Sequence, residues 1–171
     1  MADILESRDD EEFGFDTDTS EVLYEIVDGE VFMMASPTPG HQRLVQKVFF
    51  QLMTFFEGKP CEPFVSPVGV KLPSGDEVIP DLLVLCDRSK VGAKYIDGAP
   101  DLVIEVLSPS TRQRDLNRKR RLYRDNGVRE YWIIDNDRFI KWVFEPGAND
   151  EVEILGNVVE SGIFPGLVVT I

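Results

Sequence analysis

The chain has 171 residues, 43% of them hydrophobic, with eleven Phe, enough for one domain with a sizeable core. No apolar run approaches the roughly 18–20 residues that span a bilayer, which excludes a transmembrane helix. The net charge of −13 argues against tight nonspecific nucleic-acid binding, which needs a basic face, and a single histidine, His41, excludes a multi-histidine metal centre and disfavours a Ser-His-Asp hydrolase.

Residues 1–21 hold nine acidic side chains against Arg8. Such a like-charged, turn-rich start reads as a solvated, flexible tail, with the folded domain at residues 22–171. It lacks the basic and apolar segments of a secretory leader, so a cytoplasmic location is expected. Cys61 and Cys86, the two cysteines, then read as free thiols buried in the core.

Leu23–Met34 alternates around Asp28-Gly29, a strong hairpin signal. Ser36-Pro37-Thr38-Pro39-Gly40 breaks the chain. From His41, Leu44, Val45, Val48, Phe49, Leu52, Met53, Phe55 and Phe56 recur at helical spacing, a core-facing helix ended by Gly58 and Pro60. Phe64–Leu72, interrupted by Pro67 and Gly69, suits an edge or bent strand. Val78–Cys86 reads as one continuous apolar strand with Asp81 near its start. A loop with Gly92, Gly98 and Pro100 leads to the strand Leu102–Leu107, and a basic helical pattern follows, stopping at Asn126-Gly127. Val128–Asp135 is another strand, Phe139–Phe144 and Glu151–Leu155 form a hairpin about Pro146-Gly147, and a short β-like run lies between Ile163 and Ile171. The order predicts an α/β (α+β) domain, a mixed sheet flanked by helices with added hairpins.

One acid, Glu105, sits inside the strand Leu102–Leu107, where a carboxylate is costly unless paired or metal-bound. Asp101 shares its strand face but stands about 13 Å away, too far for one Mg²⁺ with bonds of about 2.1 Å. Asp81 lies on a different strand, and neighbouring strands are about 4.8 Å apart, so with suitable register Asp81 and Glu105 converge on one cation. On the basic helix, at 100° per residue, Leu116, Leu122 and Tyr123 fall within about 60° of Lys119. Lys119 is therefore aimed at the core, whereas Arg114, Arg118, Arg120, Arg121 and Arg124 fall on the outer face. Arg112 and Asp115 approach the rim on the Lys119 side. An Asp, a Glu and a Lys at one point suit metal-dependent phosphodiester hydrolysis: carboxylates hold Mg²⁺ or Mn²⁺, and the lysine orients water or stabilises developing charge.

The runs Tyr-Glu-Ile-Val-Asp-Gly-Glu-Val (24–31) and Ser-Pro-Thr-Pro-Gly-His (36–41), then Pro80-Asp81 and Pro-Asp-Leu-Val-Ile-Glu-Val-Leu-Ser-Pro-Ser-Thr (100–111), resemble the Uma2 family (domain of unknown function 820). So do Lys119 with Tyr123, Gly-Val-Arg-Glu-Tyr-Trp-Ile-Ile-Asp (127–135) and Phe-Pro-Gly-Leu (164–167). The resemblance implies a restriction-endonuclease-like core of the PD-(D/E)XK nuclease superfamily, with Asp81 and Glu105 as metal ligands and Lys119 as catalytic lysine. It also implies a DNA substrate and, by analogy with nucleases that cut both strands, a homodimer. One departure is that the superfamily's lysine position, two residues after the acid, is Leu107.

Blander readings stand beside these. Glu105 and Lys119 could be a structural ion pair; His41 could merely begin its helix instead of lining the cleft, and Gln42 and Gln46 are weaker cleft candidates. Ser108, Ser110 and Thr111 read as capping and turn residues, and Tyr131 and Trp132 as core. With Leu107 in place of lysine and an acidic chain, the alternative is an inactive nuclease fold that binds DNA or a protein partner.

Overall fold

The computed structural model describes residues 23–145 and 152–171. The expected acidic tail at 1–21 and the expected turn at Pro146-Gly147 lie outside the described residues. Strands β1 (Tyr24–Val27) and β2 (Glu30–Met33) pair antiparallel across Asp28-Gly29. Both turn residues adopt positive φ, 53° and 74°, the two-residue turn that Asp-Gly favours. Helix α1 (Pro39–Phe56) starts with Thr38, whose side chain accepts from the His41 amide, and with Pro in its first turn, where a missing N–H costs nothing.

Next come β3 (Glu62–Val65), β4 (Gly69–Lys71), β5 (Glu77–Val78), β6 (Leu82–Leu85), β7 (Tyr95–Asp97) and β8 (Leu102–Val106). The basic segment is a π-helical stretch, Arg114–Lys119, continued by α2 (Arg120–Asp125). The chain then forms β9 (Glu130–Asp135), β10 (Arg138–Val143), β11 (Glu153–Ile154), β12 (Val158–Glu160) and β13 (Val168–Thr170).

A mixed six-stranded sheet, β11-β10-β9-β8-β6-β3, forms the centre. On one face, Val45, Val48 and Leu52 of α1 and Val169 of β13 pack on Leu82, Val84, Ile104, Trp132 and Ile134. On the other, Leu122 and Tyr123 of α2, with Val27, Val70 and Val78 from a second sheet, pack on Leu83, Val103, Tyr131 and Ile133. That second sheet has the order β2-β1-β5-β4-β7. The mixed α+β architecture agrees with the sequence reading.

Two expected strands are each divided. Val78–Cys86 splits at Pro80 into β5, in the second sheet, and β6, in the central one, which puts Asp81 at the joint. Phe64–Leu72 likewise becomes β3, the edge of the central sheet, and β4 in the other. Proline has no N–H for a ladder bond, so a continuous strand cannot run through it in a sheet interior.

The cysteines are not free thiols. Cys61 and Cys86 form a disulfide across a sequence separation of 25. The antiparallel pairing Glu62↔Leu85, extended by one residue, sets them directly opposite each other. Closing a loop of that length is worth about 3 kcal/mol in the chain-entropy picture. The Cys61→Ser/Cys86→Ser double variant, or reductant, is therefore expected to lower stability by about that amount in urea denaturation. An unchanged midpoint would show that the bridge adds nothing to the strand pairing.

Candidate active site

β6 and β8 pair antiparallel with Leu82 opposite Ile104, so the next cross-strand pair is Asp81 and Glu105, on one face of the sheet. The contacts agree. The Val106 amide donates to Asp81 Oδ2 at 2.8 Å, and the Asp81 amide donates to Glu105 Oε2 at 3.3 Å. Asp101 is elsewhere, at the start of the strand, accepting from the Cys86 amide and paired with Arg129.

The basic helix delivers Lys119 to the same point. Its Nζ lies 2.8 Å from Glu105 Oε1 and 2.7 Å from Glu25 Oε1, with Asp115 Oδ1 at 3.8 Å. Tyr123 donates its hydroxyl to Glu105 Oε1 at 2.9 Å. Glu25, Glu105, Asp115 and Lys119 are all buried. His41, at the start of α1, places Nε2 3.2 Å from Asp81 Oδ2, so it lines the site as well as beginning its helix. Of the other expected cleft residues, Asp115 joins the cluster; Gln46 is exposed on α1 and Arg112 pairs with Asp135 instead. Ser108 and Thr111 bond to one another in the turn after β8, and Tyr131 and Trp132 are fully buried.

Two members lie outside the sequence reading. Glu25 alternates with Tyr24 in β1, so it shares the inward face with Val27 and reaches Lys119 from the second sheet. The signal was its place two residues before a buried valine. Arg114, expected on the outer face, instead turns inward, with Nη2 3.5 Å from Glu25 Oε2 and its guanidinium 4.7 Å from the Phe32 ring centroid. The reason is the π-helical stretch. Its i→i+5 bonding brings Arg114 round to the side of Lys119, which an α-helical 100° step does not.

The charge in this site is out of balance. Glu25, Asp81, Glu105 and Asp115 face Lys119 and Arg114. One ammonium shared among three carboxylates cannot keep all of them ionised near neutrality. Burial pushes Glu105 up to about 8; Lys119 opposes this, and the charges of Asp81, Asp115 and Glu25 add to it. Asp115 is also raised, again mainly by burial. For Lys119 burial works against the ammonium, but Glu105, Glu25 and Asp115 outweigh it and hold the amine charged well above its ordinary range. His41 is raised by its hydrogen bond to Asp81.

The donor set fits a hard divalent cation. Lys119 and Tyr123 both use Oε1 of Glu105, leaving Oε2 with only the long bond from the Asp81 amide, and both bonds to Asp81 fall on Oδ2. Each carboxylate thus keeps an oxygen lightly used. Among the described residues no group of three or more His, Cys, Asp or Glu is placed to hold a metal ion. Two carboxylates suffice for Mg²⁺, which typically fills its other positions with water and substrate phosphate.

Comparison with known proteins agrees with this architecture. A solved structure from Anabaena variabilis, described as "a putative nuclease belonging to DUF820", superposes with a TM-score of 0.69 at 18% identity, covering 83% of each chain. At that identity the likeness establishes the fold. An uncharacterized protein of Synechocystis sp. is 28% identical over 113 residues, 65% of this chain and 59% of the relative's own length. Among the described residues no helix is long and apolar enough to cross a membrane. Residues 10–171 match the family described as "Putative restriction endonuclease", and the chain belongs to that family, Uma2.

Proposed function

We propose that this protein is an endonuclease of the PD-(D/E)XK type that hydrolyses DNA phosphodiester bonds with Mg²⁺ or Mn²⁺. The observation that carries the reading is Asp81 and Glu105 side by side on adjacent strands, with Lys119 Nζ 2.8 Å from Glu105. Asp81 and Glu105 would hold the ion, which would polarise the scissile phosphate and lower the pKa of the attacking water. The Val106 amide and His41 fix Asp81, while Tyr123 and Lys119 fix Glu105. Lys119, kept charged by the surrounding acids, stabilises negative charge as it develops on the phosphate. Residues 22–171 would be the nuclease domain and residues 1–21 a tail outside it. Two copies in the cytoplasm, each cutting one strand, complete the proposal.

The purified protein is expected to nick supercoiled DNA with added Mn²⁺, and Asp81→Asn to lose that activity while keeping its circular dichroism. Equal nicking by Asp81→Asn would defeat the metal-ligand assignment. A second reading, a nuclease fold kept for binding, is favoured by the closure of Lys119 between Glu25 and Glu105 at only 3% exposure and by Leu107 at the motif lysine position. Calorimetric titration with Mn²⁺ separates the two readings, because a site closed by its own ion pairs takes up no metal.

A further inference from the structure

Asp135, at the end of β9, is buried, and its carboxylate carries two guanidinium groups. Arg112 donates Nη1 to Oδ1 at 2.8 Å and Nη2 to Oδ2 at 3.0 Å; Arg138 adds Nη2 to Oδ2 at 3.1 Å, and Asn136 Nδ2 reaches Oδ1 at 3.1 Å. Arg112 alone satisfies both oxygens. Arg138 therefore adds a positive charge that the carboxylate does not need. The side chains are 43% and 49% exposed, over a carboxylate that is 3% exposed. The anion is underneath and the cations face water, each with N–H donors beyond those spent on Asp135.

This cluster adjoins the proposed catalytic site. β8 and β9 are parallel with Glu105 beside Ile133, so Asp135, two residues on, lies on the same sheet face about 8 Å from Glu105. Across β6, β8 and β9 the carboxylates run Asp81, Glu105, Asp135. The first two bear the lightly used oxygens suited to a metal, and the third is saturated by arginines.

We propose that Arg112 and Arg138, organised by Asp135, form a second phosphate-binding position for DNA, flanking the phosphate that reacts at Asp81 and Glu105. The assignment of the reacting position rests on the nuclease reading. Phosphate contacts of this kind set register on the duplex and carry no sequence information. A planar fork matched to phosphate geometry is what arginine supplies and lysine does not. In a chain of net charge −13, exposed guanidinium donors standing over a buried carboxylate would hold a phosphate at one rim. Asp137, exposed beside Arg138, is the acid in the same turn that opposes it.

The test uses the full-length protein and a short DNA duplex with metal chelated, so that binding is read without cleavage. Fluorescence anisotropy over 50–200 mM NaCl gives the slope of log affinity against log salt. One phosphate contact contributes about 0.9 to that slope. Arg138→Gln, which leaves Arg112 to satisfy Asp135, is expected to reduce the slope by about 0.9 on every duplex sequence tried. Asp137→Asn should tighten binding, and Arg138→Lys, which keeps the charge and guards against a folding artefact, should retain most of the slope. An unchanged slope in Arg138→Gln, or no binding by the wild type, overturns the proposal. Cleavage in Mn²⁺ with an unchanged slope leaves the nuclease reading standing and removes only the clamp. A lowered slope in a protein that never cleaves leaves the clamp and removes the catalysis.

Discussion

Lys119→Met is expected to cost the fold about 3–5 kcal/mol, measured by urea denaturation at pH 7. The variant keeps most of the apolar stem but removes the ammonium from between Glu25, Glu105 and Asp115, at 2.7, 2.8 and 3.8 Å. All three acids are buried, so none recovers the missing interaction from water. Breaking a buried pair by deleting one partner is far more costly than replacing the whole group. Two further outcomes follow from the same argument. Glu105, pushed up to about 8 by burial, and Asp115, also raised, take up protons as the pH falls, so the stranded charge and its cost should shrink from pH 8 to 5. Adding Glu25→Gln to the variant removes one stranded charge and should recover part of the loss. A cost below about 1 kcal/mol, the range of an exposed pair, would mean that the ion pairs only balance their own desolvation.

The juxtaposition of Asp81 and Glu105 is legible in the sequence because it depends on two simple rules, strand spacing and side-chain alternation. Glu105 was conspicuous as an acid in an apolar run, and Asp81 was the acid on another strand that could reach it. Lys119 followed from a helical projection and from the family resemblance together. The projection failed at Arg114 for a definite reason: it assumed α-helical winding over residues that form a π-helical stretch. Glu25 lies in a run whose Asp-Gly signals a hairpin, and alternation along that strand puts it on the same face as the buried Val27. Glu130 is a similar case. It is fully buried at the start of β9 and accepts from Trp132 Nε1, two residues on along the strand, and from Ser161 Oγ and the Gly162 amide, which are distant in sequence and which no local pattern reveals. The Cys61–Cys86 bridge likewise depends on the β3–β6 register. The expectation of free thiols fails because it rests on redox environment, which says nothing of the distance between two cysteines.

Glu105→Gln should separate stability from activity, with the two moving in opposite directions. Glu105 in the folded chain titrates at about 8 against 4.5 for the unperturbed group, mainly because it is buried. Between those values the folded state holds a proton that the unfolded chain has released, so the protein loses stability as pH rises through that window. Glutamine is nearly isosteric with the protonated acid and does not titrate. Below about pH 4 both states of the wild type are largely protonated at this position, and the variant should be of similar stability. By pH 8–9 the wild-type carboxylate is forced to ionise beside Asp81, Asp115 and Glu25, and the variant should be the more stable protein, with a flatter stability–pH curve. Tyr123 and Lys119 can both still donate to the amide oxygen, and only the long 3.3 Å bond from the Asp81 amide loses its acceptor. Cleavage should behave in the opposite way. A neutral amide is a poor ligand for Mg²⁺ or Mn²⁺, and loss of an outer-shell partner alone typically costs 10–100-fold, so losing a direct ligand should cost more than about 100-fold at saturating DNA. The decisive measurement is the pair of curves, stability against pH and Mn²⁺-dependent nicking, on the same preparations. Parallel loss of both would mean that Glu105 is an ion-pair partner holding the fold together, whereas a more stable and inactive variant identifies it as a carboxylate held at an energetic cost to bind the cation.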